Sequence, residues 1–347
     1  MKNFEGLETY LNMQGQGLRQ ALVSDKNNAS LPHYVINELH PFLPNSQTID
    51  WGTAVLNIPD IHKSGITGKG VVVAVIDTGI DKTHPGLVGV VTEVHNTTAE
   101  PFSSTNGHGI GCAGIIGSRD NDEGILGVAP DCTIIGIKGM RETGGGDLNE
   151  IIKGIDLAIA KKVHVINLSL GTTGDVAGFR AAITRATNAG IYVVCSAGNA
   201  GQEDSIVYPA KYPNTVAVGA TNMSGRISAF SSRGSEIDIS APGEKILTTW
   251  KNKSYAKVSG TSFSAPYVSG CFALFIEAQI KMDHEKLQKT AVDIEEPGWD
   301  KKSGHGLINP SKLIQTYKGS TPRPTEVPVD LSKVEQAYNL LSDFLKK

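Results

Sequence analysis

From about residue 48 to 317, short and nearly continuous apolar runs alternate with longer stretches in which apolar residues recur every three or four positions. The runs Val71 to Ile76, Thr133 to Ile137, Val163 to Leu168, Ile191 to Cys195 and Thr215 to Val218 are rich in β-branched residues. Their length and composition predict strands buried on both faces. Between them, Gly109 to Gly117, Asp147 to Lys161 and Asp175 to Ala189 have helical length and amphipathic spacing. Strands joined through helices form a parallel sheet with a helix laid on it at each crossover. The predicted fold is therefore α/β, a mostly parallel central sheet with helices on both faces, and functional groups belong at the carboxyl ends of its strands.

The flanks differ from this core. Residues 1–47 are mixed polar, with prolines at 32, 41 and 44, and read as an N-terminal extension. Residues 318–330 carry three prolines and read as an extended linker. In residues 331–347, Ser332 and Glu335 have capping-box spacing, and Val334, Tyr338, Leu341 and Leu345 recur at helical spacing. That C-terminal amphipathic helix packs either on its own domain or on a partner, a second copy of the chain included.

Composition narrows the classes. Apolar residues make up 39% of the 347 residues, enough for a large packed core. A formal charge of −3, from 32 basic and 35 acidic residues, leaves no basic footprint for nucleic acid or anionic lipid. No run approaches the roughly 20 apolar residues that span a bilayer, and the amino terminus has no export-type apolar segment. Cys112, Cys132, Cys195 and Cys271 have no zinc or redox spacing and read as reduced, mostly buried thiols. These features predict a cytoplasmic enzyme or binding protein.

Three small pieces carry chemistry. The strand from Val71 ends in Asp77-Thr78-Gly79, placing an acid at a strand tip, where the competing reading is a turn-former. His108 sits between Gly107 and Gly109 at the start of a small-residue helix able to approach the sheet closely. Gly109 to Gly114 also matches a dinucleotide fingerprint, but no strand precedes it and no acid ends a strand about 20 residues on. Ser262, in Gly260-Thr261-Ser262-Phe263-Ser264-Ala265-Pro266, opens an apolar helix whose amino terminus favours negative charge. Pro266 reads as a first-turn proline, and Ser262 alone reads equally well as an N-cap.

Asp77, His108 and Ser262, in that order and each within a glycine-rich flank, resemble the subtilisin family of serine peptidases. Val163 to Gly171, Val193 to Asn199, Gly127 to Pro130, Ala241 to Gly243 and Gly304 to Asn309 also match the family's motifs in its order. The resemblance covers about residues 48–317 and implies the three-layer subtilisin-like fold. It implies a serine endopeptidase in which Ser262 attacks, His108 shuttles the proton and Asp77 holds the imidazole tautomer. Asn199 would face the developing oxyanion. Ser169, Leu170 and Gly171 would pair with an extended peptide, with Gly144 to Gly146 along its other edge or simply forming a surface loop. Ser196, Ala197, Gly198 and Val207 would line the pocket for the side chain preceding the scissile bond.

Departures from the family pattern matter. The family's His-Gly-Thr-His run is His108-Gly109-Ile110-Gly111 here, and Phe263 replaces a common methionine. Val207 stands where glycine often floors the specificity pocket, which predicts a shallow pocket. Arg119 to Gly124 resembles a calcium loop of the family, making Asp120 and Asn121 the candidate ligands, but Gly86 replaces an expected acid. No organic cofactor is implied. Leu31-Pro32-His33-Tyr34 resembles the motif of short extensions on intracellular subtilisins, which lie across the active site until trimmed. The extension is then a zymogen-type inhibitor of its own chain. A dedicated maturation protease, a peptide ligase of the same fold and a pseudoprotease binding module are the competing functions.

Overall fold

A computed structural model of the chain describes residues 27–41 and 46–318. The rest of the N-terminal extension, most of the linker and the predicted C-terminal helix, with its partner surface, lie outside these residues. Within the described residues, β3 (Val72–Asp77), β4 (Val91–Asn96), β5 (Thr133–Lys138), β7 (Val165–Leu168), β8 (Tyr192–Ser196), β9 (Val216–Thr221) and β10 (Ile239–Pro242) form one sheet. Its order is β10-β9-β8-β7-β3-β5-β4, and every neighbouring pair is parallel.

Side-chain alternation along each strand builds the layers, because successive residues point to opposite faces. Val73 and Val75 join Val165, Val194 and Val218 in a core with Ile110, Cys112, Phe263 and Phe272. These belong to the helices His108–Gly117 and Thr261–Glu277. Ala74 and Ile76 face the other way, with Ile166 and Val193, onto Ile151, Ile155 and Phe179. Those residues come from the helices Leu148–Ala160 and Ala177–Asn188. The expected three layers, parallel sheet and covered faces are all present.

Boundaries shift where local hydrogen bonding competes with the ladder. The Val163 amide closes the preceding helical turn onto the Ala158 carbonyl, so β7 starts later than its apolar run. The Thr215 hydroxyl donates into the preceding turn, 2.8 Å from the Tyr212 carbonyl with the Pro209 and Ala210 carbonyls at 3.1 and 3.3 Å, and Thr215 stays out of β9. Ser262 is no N-cap: its helix begins at Thr261 after Gly260, without a side-chain cap. Pro266 therefore falls beyond the first turn and cannot donate to the Ser262 carbonyl. That carbonyl accepts instead from the Ser169 hydroxyl at 2.8 Å and the Cys112 thiol at 3.5 Å. The lost helical bond thus fixes the start of the helix to the substrate-strand region.

Two further sheets engage the N-terminal extension. β1 (Asn28–Ser30) pairs antiparallel with β6 (Gly145–Asp147). β2 (Val35–His40) adds to the hairpin of β11 (Ile246–Trp250) and β12 (Ser254–Ser259). All four cysteines are free and buried. Burial pushes the Cys132 thiol up to about 12 and raises the others as well. No helix of the described residues is long and apolar enough to cross a membrane.

Candidate active site

Asp77 ends β3, and its Oδ1 accepts from the Thr78 amide at 2.7 Å, which fixes the carboxylate at the sheet rim. His108 opens its helix after Gly107, a left-handed residue at φ 96°. Its Nδ1 lies 2.9 Å from both Asp77 oxygens. A Cβ at Gly109 would lie 2.6 Å from the Gly79 carbonyl and 3.2 Å from Asp77 Oδ1, so a side chain there would separate acid and base. The Asn106 side chain accepts from the His108 amide at 3.1 Å and sets where the helix begins.

The family's second histidine and threonine are replaced by packing. Ideal Cβ atoms at Gly107 and Gly111 would both meet the buried Trp250 ring, at 2.7 and 3.1 Å. That indole occupies the space beside the helix, and the Thr248 and Thr249 hydroxyls satisfy the Gly111 and Ile110 carbonyls.

Ser262 lies at the start of the longest apolar helix, and Cys112 links it to the Asp–His pair. The thiol lies 3.8 Å from Asp77 Oδ2, 3.9 Å from His108 Nδ1 and 3.5 Å from the Ser262 carbonyl. Burial and the neighbouring Asp77 raise the Cys112 thiol well above its ordinary value. It therefore packs as a neutral group beneath the cluster, not as a thiolate ligand. The Ser262 hydroxyl points at the Ser169 carbonyl at 3.5 Å, while His108 Nε2 is buried without a hydrogen-bond partner among the described residues. The acid–base half of the cluster is assembled and the base–hydroxyl half is not.

Asn199 is oriented by Thr261, whose amide and hydroxyl donate to Asn199 Oδ1 at 2.9 and 2.8 Å. This leaves Nδ2 free to donate outward, and it does so to the His33 carbonyl at 2.6 Å. The peptide from residue 28 to 34 fills the groove. Ser30 and Gly171 exchange backbone bonds of 2.8 and 2.9 Å, the Leu31 amide donates to the Gly144 carbonyl at 2.9 Å, and Ala29 opposes Gly146. The extension is thus an extended strand held between the two predicted substrate edges. Pro32 supplies no N–H at the next position. The Tyr34 ring covers His108 at 4.9 Å and meets Phe263 at 5.9 Å. Asp77, His108 and Ser262 are each 0% exposed.

The pocket residues separate into backbone and side-chain contributors. Leu170 and Ala197 are buried in the core, so only their backbone is available to a peptide. Gly198 takes a left-handed φ of 112° between β8 and Asn199. Val207 bonds the Ala197 carbonyl through its amide at 3.0 Å. Its methyl groups lie between Gly171 and Gly198, at 2.4 and 3.3 Å from the Cβ atoms those glycines lack.

Asp120 and Asn121 fall on an exposed turn. The Arg119 and Ile125 carbonyls converge on one point, where both accept from Gln47 Nε2 at 2.7 and 3.0 Å. Gln47 Oε1 accepts from the Asn121 and Asp122 amides. With Gly86 in place of the expected acid, this side chain satisfies the loop internally. Among the described residues, no group of three or more acidic, histidine or cysteine side chains gathers at this loop. Gln47 went unnoticed in the sequence because its role depends on a loop more than 70 residues away.

Comparison with known proteins places this geometry. Residues 68–306 match the model of the subtilase family of peptidases. The chain is 38% identical over 270 residues to the major intracellular serine protease of Bacillus subtilis (strain 168), covering 73% of this chain and 85% of that one. It is 36% identical over 319 residues to subtilisin E of the same organism, covering 88% and 81%. Against the minor extracellular protease Epr of that organism, 37% identity runs over 74% of this chain but spans only 40% of the relative's length.

Proposed function

Because this chain belongs to the subtilase family of serine endopeptidases, we propose that it hydrolyses extended peptide segments through Asp77, His108 and Ser262, with Asn199 at the oxyanion. The Asp77–His108 contact at the strand tips, beside the Ser262 helix, carries this reading. His108 Nε2 takes the Ser262 proton as Oγ attacks the scissile carbonyl, and returns it to the leaving amine. Asp77 holds Nδ1–H and stabilises the imidazolium. The Asn199 amide, pre-aimed by Thr261, donates to the oxyanion. Covalent labelling of Ser262 by a fluorophosphonate, in protein started at Gln47 so that residues 28–34 no longer occupy the groove, tests the activated hydroxyl; an unlabelled but folded truncated protein turns the reading toward a binding module. Product masses then separate hydrolysis from peptide joining.

Residues 28–34 are the chain's own inhibitor. The segment satisfies both substrate edges and Asn199, yet Pro32 denies the Ser169 carbonyl an amide partner. The Ser262 hydroxyl takes that acceptor instead and is turned from His108. Residues 1–47 then serve as the restraining extension, 48–317 as the catalytic domain.

Val207 makes the specificity pocket shallow, because its methyls occupy the space between Gly171 and Gly198. Matched peptides with Ala, Leu or Phe before the scissile bond should be cleaved with Phe slowest, by about tenfold or more. A clear Phe preference overturns this.

Calcium binding is common in the family. Here the Gln47 amide holds the loop that contains Asp120 and Asn121, so about 1 mM calcium and excess EGTA should give melting temperatures within about 1 °C of each other. A calcium-dependent rise of several degrees assigns the loop to an ion. Likeness to an intracellular protease and four buried free thiols support a cytoplasmic site of action. Recovery of the protein only outside fractionated cells contradicts it.

A further inference from the structure

Lys138 is a fully buried ammonium at the end of β5, directly opposite Asp77 in the sheet register. Its Nζ donates to the Thr78 carbonyl, the Met140 carbonyl and Glu142 Oε1, each at 3.1 Å, which uses all three of its protons. Glu142 in turn gathers the loop that leads into His108. Oε1 also accepts from the Ser103 hydroxyl, Oε2 accepts from the Thr105 hydroxyl at 2.6 Å, and the Glu142 carbonyl accepts from Asn106 Nδ2 at 2.8 Å. Asn106 then holds the His108 amide. On its other side, Glu142 lies in the turn whose Arg141 amide donates to the Gly145 carbonyl, next to the strand that faces the bound peptide.

We propose that Glu142 is a positioning residue of the peptidase reaction, its carboxylate seated on Lys138 so that the His108 loop and the Gly144–Gly146 substrate edge are held as one unit. This rests on the triad reading given above. Two elements meet at this carboxylate, β5 through Lys138 and the loop before the His108 helix through Ser103 and Thr105, so its loss frees the loop without touching Asp77, His108 or Ser262.

The placement also has an electrostatic consequence. Glu142 faces Lys138 from β5 and Glu100 from the loop before the helix, with Glu100 Oε2 3.9 Å from Nζ and accepting from the Glu142 amide at 3.3 Å. His108 faces Asp77, Cys112 and the Tyr34 phenol ring. Burial opposes ionisation of Glu142, yet the Ser103 and Thr105 hydroxyls and the Lys138 ammonium hold the carboxyl below its ordinary value. A carboxyl lowered in this way stays charged, and keeps the loop tied, above its unfolded value. The tie is lost as pH falls through the lowered one. Removing the charge leaves the ammonium beside Thr78 less compensated and disfavours an imidazolium nearby.

The test uses the full chain, with rates normalised to the fraction labelled at Ser262 by a fluorophosphonate. Glu142→Gln should lower kcat by about tenfold and move the acid limb of kcat/KM to lower pH by about half a unit. Lys138→Met combined with Glu142→Gln removes both charges and should return the limb to its wild-type position. A Ser103→Ala/Thr105→Ala variant, which keeps both charges, should lower kcat with the limb unmoved. Wild-type kcat and an unmoved limb in Glu142→Gln overturn the proposal. Equal limb shifts in the single and Lys138→Met double variants do so too, because the shift then does not come from the Lys138–Glu142 charge pair. A wild type that stays unlabelled both as the full chain and when started at Gln47 instead fails the triad reading and takes this one with it.

Discussion

Removing residues 1–46, so that the chain starts at Gln47, raises the initial rate on a short peptide substrate by at least about 30-fold. Counting only the bonds outside the β1–β6 pair, the magnitude follows from four that hold residues 30–33 in the groove: two between Ser30 and Gly171, one from Leu31 to Gly144, and one from Asn199 to His33. At about 0.5 to 1.5 kcal/mol each, they contribute about 2 to 6 kcal/mol to occlusion, and tenfold in population corresponds to about 1.4 kcal/mol. The lower end gives the quoted factor. Truncation also strips β2 from β12, so Tyr34→Ala in the full chain is the companion measurement. It removes only the ring over His108 and its phenol, and should give a smaller gain of the same sign. Equal rates for full-length, truncated and Tyr34→Ala proteins, each labelled to the same extent at Ser262, would mean that the segment restrains nothing.

Ser262→Ala lowers kcat by about 10⁶-fold, the size seen when subtilisins themselves lose the nucleophile, while the variant stays folded. Nothing else in the cluster can replace the hydroxyl. Cys112 is the thiol grouped with Asp77 and His108, and burial with Asp77 holds it protonated. Asn199→Ala separates the two halves of the mechanism: by the same family precedent it should lose about 10² to 10³, because the proton relay survives and one oxyanion donor does not. Assay of both variants against a peptide library shows whether the losses are ordered in this way. Comparable activity in Ser262→Ala and wild type would remove the assigned nucleophile.

The parallel sheet was legible because each central strand is buried on both faces and must be apolar throughout, as in Val72 to Ile76. β4 was not: Val91–Asn96 is an edge strand carrying Glu93 and His95 on partly exposed faces, so no continuous apolar run marks it. β11 and β12 were missed because their sequences, ILTTW and SYAKVS, mix core and polar positions in a hairpin. In the site, Asp77, His108, Ser262 and Asn199 stood out through ordered glycine-rich flanks. Glu142 and Gln47 had no such mark. Their partners are backbone groups and hydroxyls of distant loops, which a linear pattern does not encode. The misreading of Pro266 has the same origin, since where a helix starts decides whether a proline costs a bond, and after Gly260 the helix starts at Thr261, two residues earlier than with Ser262 as its cap.

The strand from Val35 to His40 lies on β12, outside the groove that residues 28–34 occupy. Withdrawal of the occupying peptide therefore leaves it leashed a few residues away, at a local concentration on the order of millimolar for so short a tether. Recapture is first order in protein, and dilution does not relieve it. A competing peptide must outbid that local concentration at every turnover, whereas one backbone scission between the two anchored strands turns the brake into an ordinary dissociable ligand, and the switch becomes irreversible in practice.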